Sequence, residues 1–227
     1  MKARESLSRS LVPLALGAAA SVACYAAAGA TLNLPLGGVL FAAILAPTLA
    51  SDQTRLNLIT SVAFTLGVAA AWLALPSGWL GATLVLLSFT AAAVFATQSL
   101  IRLRIHSIAA AAIVVTIALA WLTWPVWASG FIAGKTIGWP VALHPLFAIN
   151  AACRDLGMWT EQRVAYRLTN LGQDATYQLP TGALPCIAFQ TALAVLFYLV
   201  ARAQHRGYIT ATTAGEPTRG AAHAPLN

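Results

Sequence analysis

Ser107–Gly134, SIAAAAIVVTIALAWLTWPVWASGFIAG, runs without a single charged side chain. A helix needs about 20 mostly apolar residues to cross the hydrocarbon of a bilayer, and this stretch supplies them. Two more uncharged runs precede it, Ser10–Ser51 and Leu56–Ile101. Over the whole chain 59% of residues are hydrophobic and 8% are charged, with a mean hydropathy of +0.75. A soluble domain carries roughly 25% charged residues, so this chain lacks the charge to cover a water-facing surface. Transmembrane barrels show segments of about 10 residues that alternate apolar with polar, and none is present. The expected fold is therefore all-α, a polytopic bundle of membrane helices.

Working outward from that run, six spans are expected: Leu11–Ala30, Leu36–Ala50, Leu58–Leu75, Trp79–Leu100, Ser107–Phe131 and Ala183–Ala201. Turn formers separate them: Asn33 and Pro35, the polar run Ser51–Asn57, the break Pro76-Ser77-Gly78 and the basic turn Ile101–His106. The second span is short and contains Pro47, which leaves its full crossing open. Residues 1–10 form a basic N-terminus, 11–133 hold the first five spans, and 134–182 form a long polar segment before the sixth span. The first span resembles a signal-peptide core, but its apolar run continues to Ala30. Ser21 also stands where a lipoprotein cleavage box wants a bulky aliphatic, so the helix is expected to remain uncleaved. Residues 202–227, rich in Ala, Gly, Thr and Pro, read as a disordered tail.

Two signals give the orientation. Numbering the connections alternately puts Lys2, Arg4, Arg9, Arg55, Arg102, Arg104, Arg202, Arg206 and Arg219 on one side. The two short turns of the other side carry no Lys or Arg. Positive charge stays cytoplasmic, so both termini are expected inside a bacterial-type plasma (inner) membrane. The seven Trp all fall toward the opposite side: Trp72, Trp79, Trp121, Trp124 and Trp127 at helix ends, and Trp139 and Trp159 in the long segment. Indole favours an interface, where its ring is apolar and its N–H can reach water. These rings would anchor the helices or rim an outward-facing site. Ala15, Ala19, Ala23 and Ala27 form a small-residue face that would let the first helix pack closely, within the bundle or in a homodimer.

Several function classes are disfavoured. No Asp, Glu, Lys, Arg or His is placed in mid-membrane, which argues against a proton pump or proton-coupled antiporter. The net charge of +7 is dispersed over ends and loops, with no basic face and no nucleic-acid motif. Three Cys and four His show no metal-ligand spacing, so no metal or cofactor is expected.

The polar residues collect in 134–182. Pro145 suits the first turn of a helix running to about Leu156, with Leu146, Ile149, Ala152 and Cys153 on an apolar face able to lie on or dip into the membrane. Thr160 can cap a second helix, Glu161–Leu171, closed by Gly172. Arg163 and Arg167, at i,i+4, repel mildly unless an anion or acidic partner faces them. Asp174–Leu179 then leads, extended, to Pro180. His144, Arg154, Trp159, Arg163 and Arg167 are the gate or docking candidates. Cys153 and Cys186 would share the outer side, where an oxidising compartment would permit a disulfide.

Six spans, with short outer helices between the last two, resemble the permease subunits of type-two ATP-driven (ABC) exporters. The resemblance lies in layout alone. It implies an outer gate, a cytoplasmic turn (here Ser51–Asn57) that docks a separate ATPase, and a lipid-linked or amphipathic substrate drawn from the membrane. Two other readings stand beside it. One is a non-catalytic membrane subunit or scaffold that docks a partner on its outer face. The other is an outer-face thiol enzyme, since Cys153, Arg154 and His144 resemble in residue type, though not in order, the set used by membrane transpeptidases of the exosortase kind.

Overall fold

The computed structural model describes residues 2–28, 33–51, 57–75, 77–128, 131, 136–153, 176–177 and 180–214. Among the described residues it is helical apart from one pair of two-residue strands. The elements are α1 (Lys2–Ala28), α2 (Asn33–Ala50), α3 (Asn57–Ala70) with a 3-10 turn (Ala71–Ala74), α4 (Trp79–Arg102) and α5 (Ser107–Trp127). They continue with β1 (Thr136–Ile137), α6 (Trp139–Ala142), α7 (Pro145–Ala152), β2 (Thr176–Tyr177) and α8 (Leu184–Ala214).

Three helices are long and apolar enough to cross a membrane: 79–102, 107–127 and, within α8, Leu184–Ala203. Three shorter apolar helices, Leu11–Ala27, Leu34–Ala50 and Ile59–Ala74, accompany them. By helix length and hydropathy the chain is a multi-pass membrane protein. At about 1.5 Å per residue, the short helices span roughly 25 Å each, slightly less than the ~30 Å of hydrocarbon.

The bundle is arranged around α2, which packs against α1, α3, α4, α5 and α7. Its inner face is small: Ala42, Ala43, Ala46 and Ala50 are buried beside Leu34, Val39 and Pro47. α1 lies along α3, and α8 lies along α4. The outward faces are apolar and exposed, as in Ile113 and Ile117 of α5 and Leu196 and Leu199 of α8, which suits contact with lipid tails. In lipid, close packing replaces the hydrophobic effect as the force between helices. α1 and α3 meet at Gly17 and Gly67: a Cβ on Gly17 would strike the Phe64 carbonyl oxygen, and one on Gly67 the Leu14 carbonyl oxygen. Ser21 completes the seam by donating to the Val68 carbonyl at 2.5 Å.

That seam corrects the expected packing face of the first helix. Ala15, Ala19 and Ala23 are exposed, and the buried stripe is Pro13, Gly17 and Ser21. The closest approach is set by the residue without a Cβ. The expected disordered tail is also revised, because α8 continues unbroken from the span to Ala214. Ala201-Arg202-Ala203-Gln204 are good helix formers, and extending an existing helix avoids the nucleation penalty. Residues 215–227 lie outside the described residues.

The two ends of the bundle differ. At one, Arg102 Nη1 of α4 donates to the Ala201 carbonyl of α8, and Ser99 Oγ donates to the Phe197 carbonyl at 2.7 Å. At the other, Gly78 before α4, Trp121 and Trp124 in α5, and Cys186 in α8 surround α7. This is the tryptophan end. β1 and β2 pair in parallel there, Thr136 with Thr176 and Ile137 with Tyr177, tying together the two ends of the intervening segment.

Candidate functional site

α7 is the element that sets this end apart. Pro145 opens it, where its missing N–H is harmless and its fixed φ already suits a helix. Every residue from Pro145 to Ala151 is buried. A helix apolar all round must be enclosed by protein, and α2, α4 and α8 enclose this one. At about 12 Å long it dips into the bundle without crossing it. The expectation of a helix beginning at Pro145 holds; the helix closes at Ala152 rather than Leu156, and it is enclosed by protein.

Its far end rests on α4. Gly78 has φ 75°, a left-handed conformation that favours glycine, and a Cβ there would collide with the Ala152 carbonyl. A Cβ on Gly81 would lie 3.0 Å from that of Ala152. The glycines clear a floor for the last turn of α7.

Its near end is held by His144, which is 0% exposed. Nε2 lies 3.1 Å from the Trp121 carbonyl oxygen and 3.2 Å from that of Leu122. Carbonyls only accept, so Nε2 carries the proton and donates to both. Pro125 explains why an acceptor is waiting: it lies inside α5 and has no N–H to give the carbonyl four residues earlier, that of Trp121. His144 takes the place of that missing donor. The imidazole sits among aromatic rings, with centroids 5.7 Å from Trp121, 6.1 Å from Trp124 and 5.1 Å from Phe147. Burial lowers its pKa to about 4, the two carbonyl contacts opposing the shift, so the ring is neutral.

With Nε2 protonated, Nδ1 of the neutral ring is an acceptor, and it has no hydrogen-bond partner among the described residues. The buried indole N–H groups of Trp121 and Trp124 are donors in the same condition. Further along α7, Asn150 is 2% exposed, and neither of its amide atoms has a hydrogen-bond partner among the described residues. Helical spacing puts Asn150 on the turn of Leu146 and Cys153, which belong to the main core. Phe147 instead joins Trp124, Ile137 and Val141. Each buried polar group without a partner costs about 1–3 kcal/mol, so a short helix carrying several is a feature to be explained by what the site contacts.

Of the expected gate or docking residues, His144 is central to this site. Arg154, Trp159, Arg163 and Arg167 lie outside the described residues, as does the expected helix Glu161–Leu171. The tryptophans divide: Trp72, Trp121 and Trp124 turn inward, whereas Trp79, Trp127 and Trp139 are exposed. Cys153 and Cys186 are buried free thiols. Cys186 Sγ donates to the Leu143 carbonyl at 3.2 Å, just before α7, whereas Cys153 caps the opposite end of α7. The same ~12 Å of helix separates His144 from Cys153, so they do not form a nucleophile–base pair. Burial also pushes the Cys153 thiol up to about 11, the reverse of an activated thiolate. No cluster of His, Cys, Asp or Glu among the described residues could hold a metal.

Asn150 and the unpaired His144 Nδ1 were not legible as a pair. The usable signal was Pro125, four residues after Trp121 in a membrane helix, which demands an outside donor. No family model, curated protein or solved structure matches the chain.

Proposed function

We propose that the chain is the membrane permease subunit of a transporter for a lipid-linked or amphipathic substrate, driven by a separate ATPase. It would sit in a bacterial-type plasma membrane with the tryptophan end outward. One observation carries the reading: a short helix between the last two long spans is sunk into the bundle, and it brings unpaired polar atoms of His144 and Asn150 to a buried position. In membrane proteins, irregular backbone at depth is tolerated where protein surrounds it or where it lines a path, and discontinuous helices commonly build the binding sites of transporters. The absence of charged side chains from the described core of the bundle suits an amphipathic cargo better than an ion.

The test is purification of the intact chain from its native membrane, followed by assay of any associated nucleotide-hydrolysing subunit. The expected result is a stable complex whose ATP hydrolysis rises with lipid and falls in Asn150→Leu. A chain that purifies without such a subunit, and moves no lipid when reconstituted with candidate ATPases, counts against it.

Exposed aromatic groups at the same end, Phe131 and Trp139, favour as a second reading a non-catalytic subunit that docks a partner on its outer face. Photo-crosslinkers at positions 139 and 163 that capture a defined outer-face protein, with no ATPase in the complex, would select it.

A further inference from the structure

The end of the bundle away from α7 carries a chemistry of its own. α4 and α8 run side by side down to it, through the Phe95–Tyr198 ring pair at 5.5 Å and the Ser99 hydroxyl on the Phe197 carbonyl. The seam ends where Arg102 Nη1 donates to the Ala201 carbonyl. That bond brings the Arg102 guanidinium to the residue before Arg202, and it uses one of the five N–H groups that a guanidinium carries. Arg102, Arg104 and Arg202 are all exposed. The side chains of Arg104 and Arg202 make no ion pair among the described residues.

Arg104 occupies a backbone conformation that favours glycine. α4 closes in a Schellman motif, with the Ile105 N–H donating to the Leu100 carbonyl at 3.1 Å and the Arg104 N–H to that of Ile101 at 2.9 Å. Such a motif holds the first residue past the helix cap in the left-handed region, where glycine is usual. Here that residue is Arg104, with φ 65°, the only non-glycine of positive φ among the described residues. Attraction of a cation to a helix C-terminus accounts for Arg102, in the last turn of α4. It does not account for an arginine at the position where glycine costs least.

Apolar side chains flank these cations. Leu103 is 55% and Ile108 71% exposed, and Leu199, 53% exposed, precedes Arg202 by one turn on the same face of α8. The surface therefore passes from apolar to cationic over one helical turn, as a phospholipid passes from acyl chain to phosphate. A guanidinium can meet two phosphate oxygens at once. α4, α5 and α8 carry no acid to compete, since no Asp or Glu occurs from Gln53 to Arg154 or from Ala175 to Gly215. Helix alternation brings Glu5 and Asp52 to this end, their side chains outside the described residues, but Lys2, Arg4, Arg9 and Arg55 come from the same segments.

We propose that Arg102, Arg104 and Arg202 form a binding site for the phosphate of an anionic phospholipid in the leaflet at this end.

The experiment places the full-length chain in phosphatidylcholine nanodiscs doped with phosphatidylglycerol and reads the retained lipid by native mass spectrometry. Melting temperature is measured in parallel in a neutral detergent. The expected result is retention of phosphatidylglycerol about tenfold or more above phosphatidylcholine. Arg104→Gly and Arg202→Gln should each lower that ratio about fivefold, the contribution of one surface arginine toward an anionic lipid. Arg104→Gly should at the same time raise the melting temperature by about 2–4 °C, because glycine relieves the left-handed residue. Arg102→Gln also loses the bond to Ala201, so the other two variants carry the test. Arg219→Gln removes one charge elsewhere in the chain and should leave the ratio unchanged. Equal retention of the two lipids, full selectivity in Arg104→Gly, or an equal loss in Arg219→Gln would overturn the proposal. A lower melting temperature in Arg104→Gly would make that side chain structural and overturn it as well. Release of the lipid by excess inorganic phosphate would overturn the lipid assignment in favour of a soluble anion, and retention against it supports the lipid. None of these readouts involves an ATPase, so this site and the permease reading can fail independently.

Discussion

His144 Nε2 stands 3.1 Å from the Trp121 carbonyl oxygen, the acceptor that Pro125 leaves without its helical donor. The gap in α5 and the residue that fills it are two halves of one interaction. Its energetic signature is conditional. His144→Ala should destabilise the protein by about 1–3 kcal/mol, because a buried carbonyl is left unpaired. Pro125→Ala restores the backbone N–H and should recover part of that loss in the double variant. A double-mutant cycle on thermal or denaturant unfolding in detergent is expected to give a coupling of about 1 kcal/mol or more. Strict additivity would show that the carbonyl is satisfied elsewhere.

The same residue sets a pH dependence. His144 is neutral in the folded protein, with its pKa lowered from 6.5 to about 4 by burial. Among the side chains described at this end of the bundle, the other titratable ones are the thiols of Cys153 and Cys186. Between pH 6.5 and 4 the unfolded state binds a proton that the folded state does not. Stability therefore falls as pH drops through that window, by about 1.4 kcal/mol per unit at the steepest, and is constant with respect to this group above and below it. Melting temperature measured across the window should decline for the native chain. It should decline less for His144→Gln, which keeps a donor for the carbonyls but does not titrate.

Cys153 offers a test of the thiol-enzyme alternative. A pKa raised from 9.0 to about 11 leaves a roughly hundredfold smaller thiolate fraction at neutral pH, and the side chain is wholly buried. Maleimide labelling of the native protein should be slower than that of an unfolded control by at least this factor. Both Cys153 and Cys186 should label in denaturant without prior reduction. Fast native labelling at Cys153 would reopen a nucleophilic role.

How much of this could be read beforehand varies with the physics of each feature. The membrane class and the breaks before Trp79 and before Ser107 follow from where charge and turn formers fall, and α4 and α5 respect them. The break expected at Asn33–Pro35 does not hold, since α2 starts at Asn33 and takes Pro35 into its first turn, where a missing N–H is harmless. Pro145 announced α7 because a proline costs least at a helix start. The face by which each helix packs was less accessible. In a soluble protein hydrophobic periodicity would mark it, but in lipid both faces of α1 are apolar, so Ala15–Ala19–Ala23 and Pro13–Gly17–Ser21 look alike in the sequence. Position in the bundle distinguishes them. The inward turn of Trp72, Trp121 and Trp124 escaped for a related reason, since indole suits an interface as well as a core.

The α1–α3 seam carries the last prediction. At Gly17 and Gly67 each backbone fills the space where the other's Cβ would be, so either glycine to alanine forces the helices apart or rotates them. Overpacking of this kind typically costs about 1–3 kcal/mol. It should also lengthen the Ser21 to Val68 hydrogen bond. The exposed residue Ala19, only two positions from Gly17, provides the control: Ala19→Val adds more volume on the lipid-facing side. Thermal unfolding in detergent should therefore show Gly17→Ala and Gly67→Ala lowered and Ala19→Val near the native value. The reverse order would mean that α1 packs through its alanine face after all, as in a homodimer, and cross-linking from cysteines placed at 15 and 19 would then join two copies.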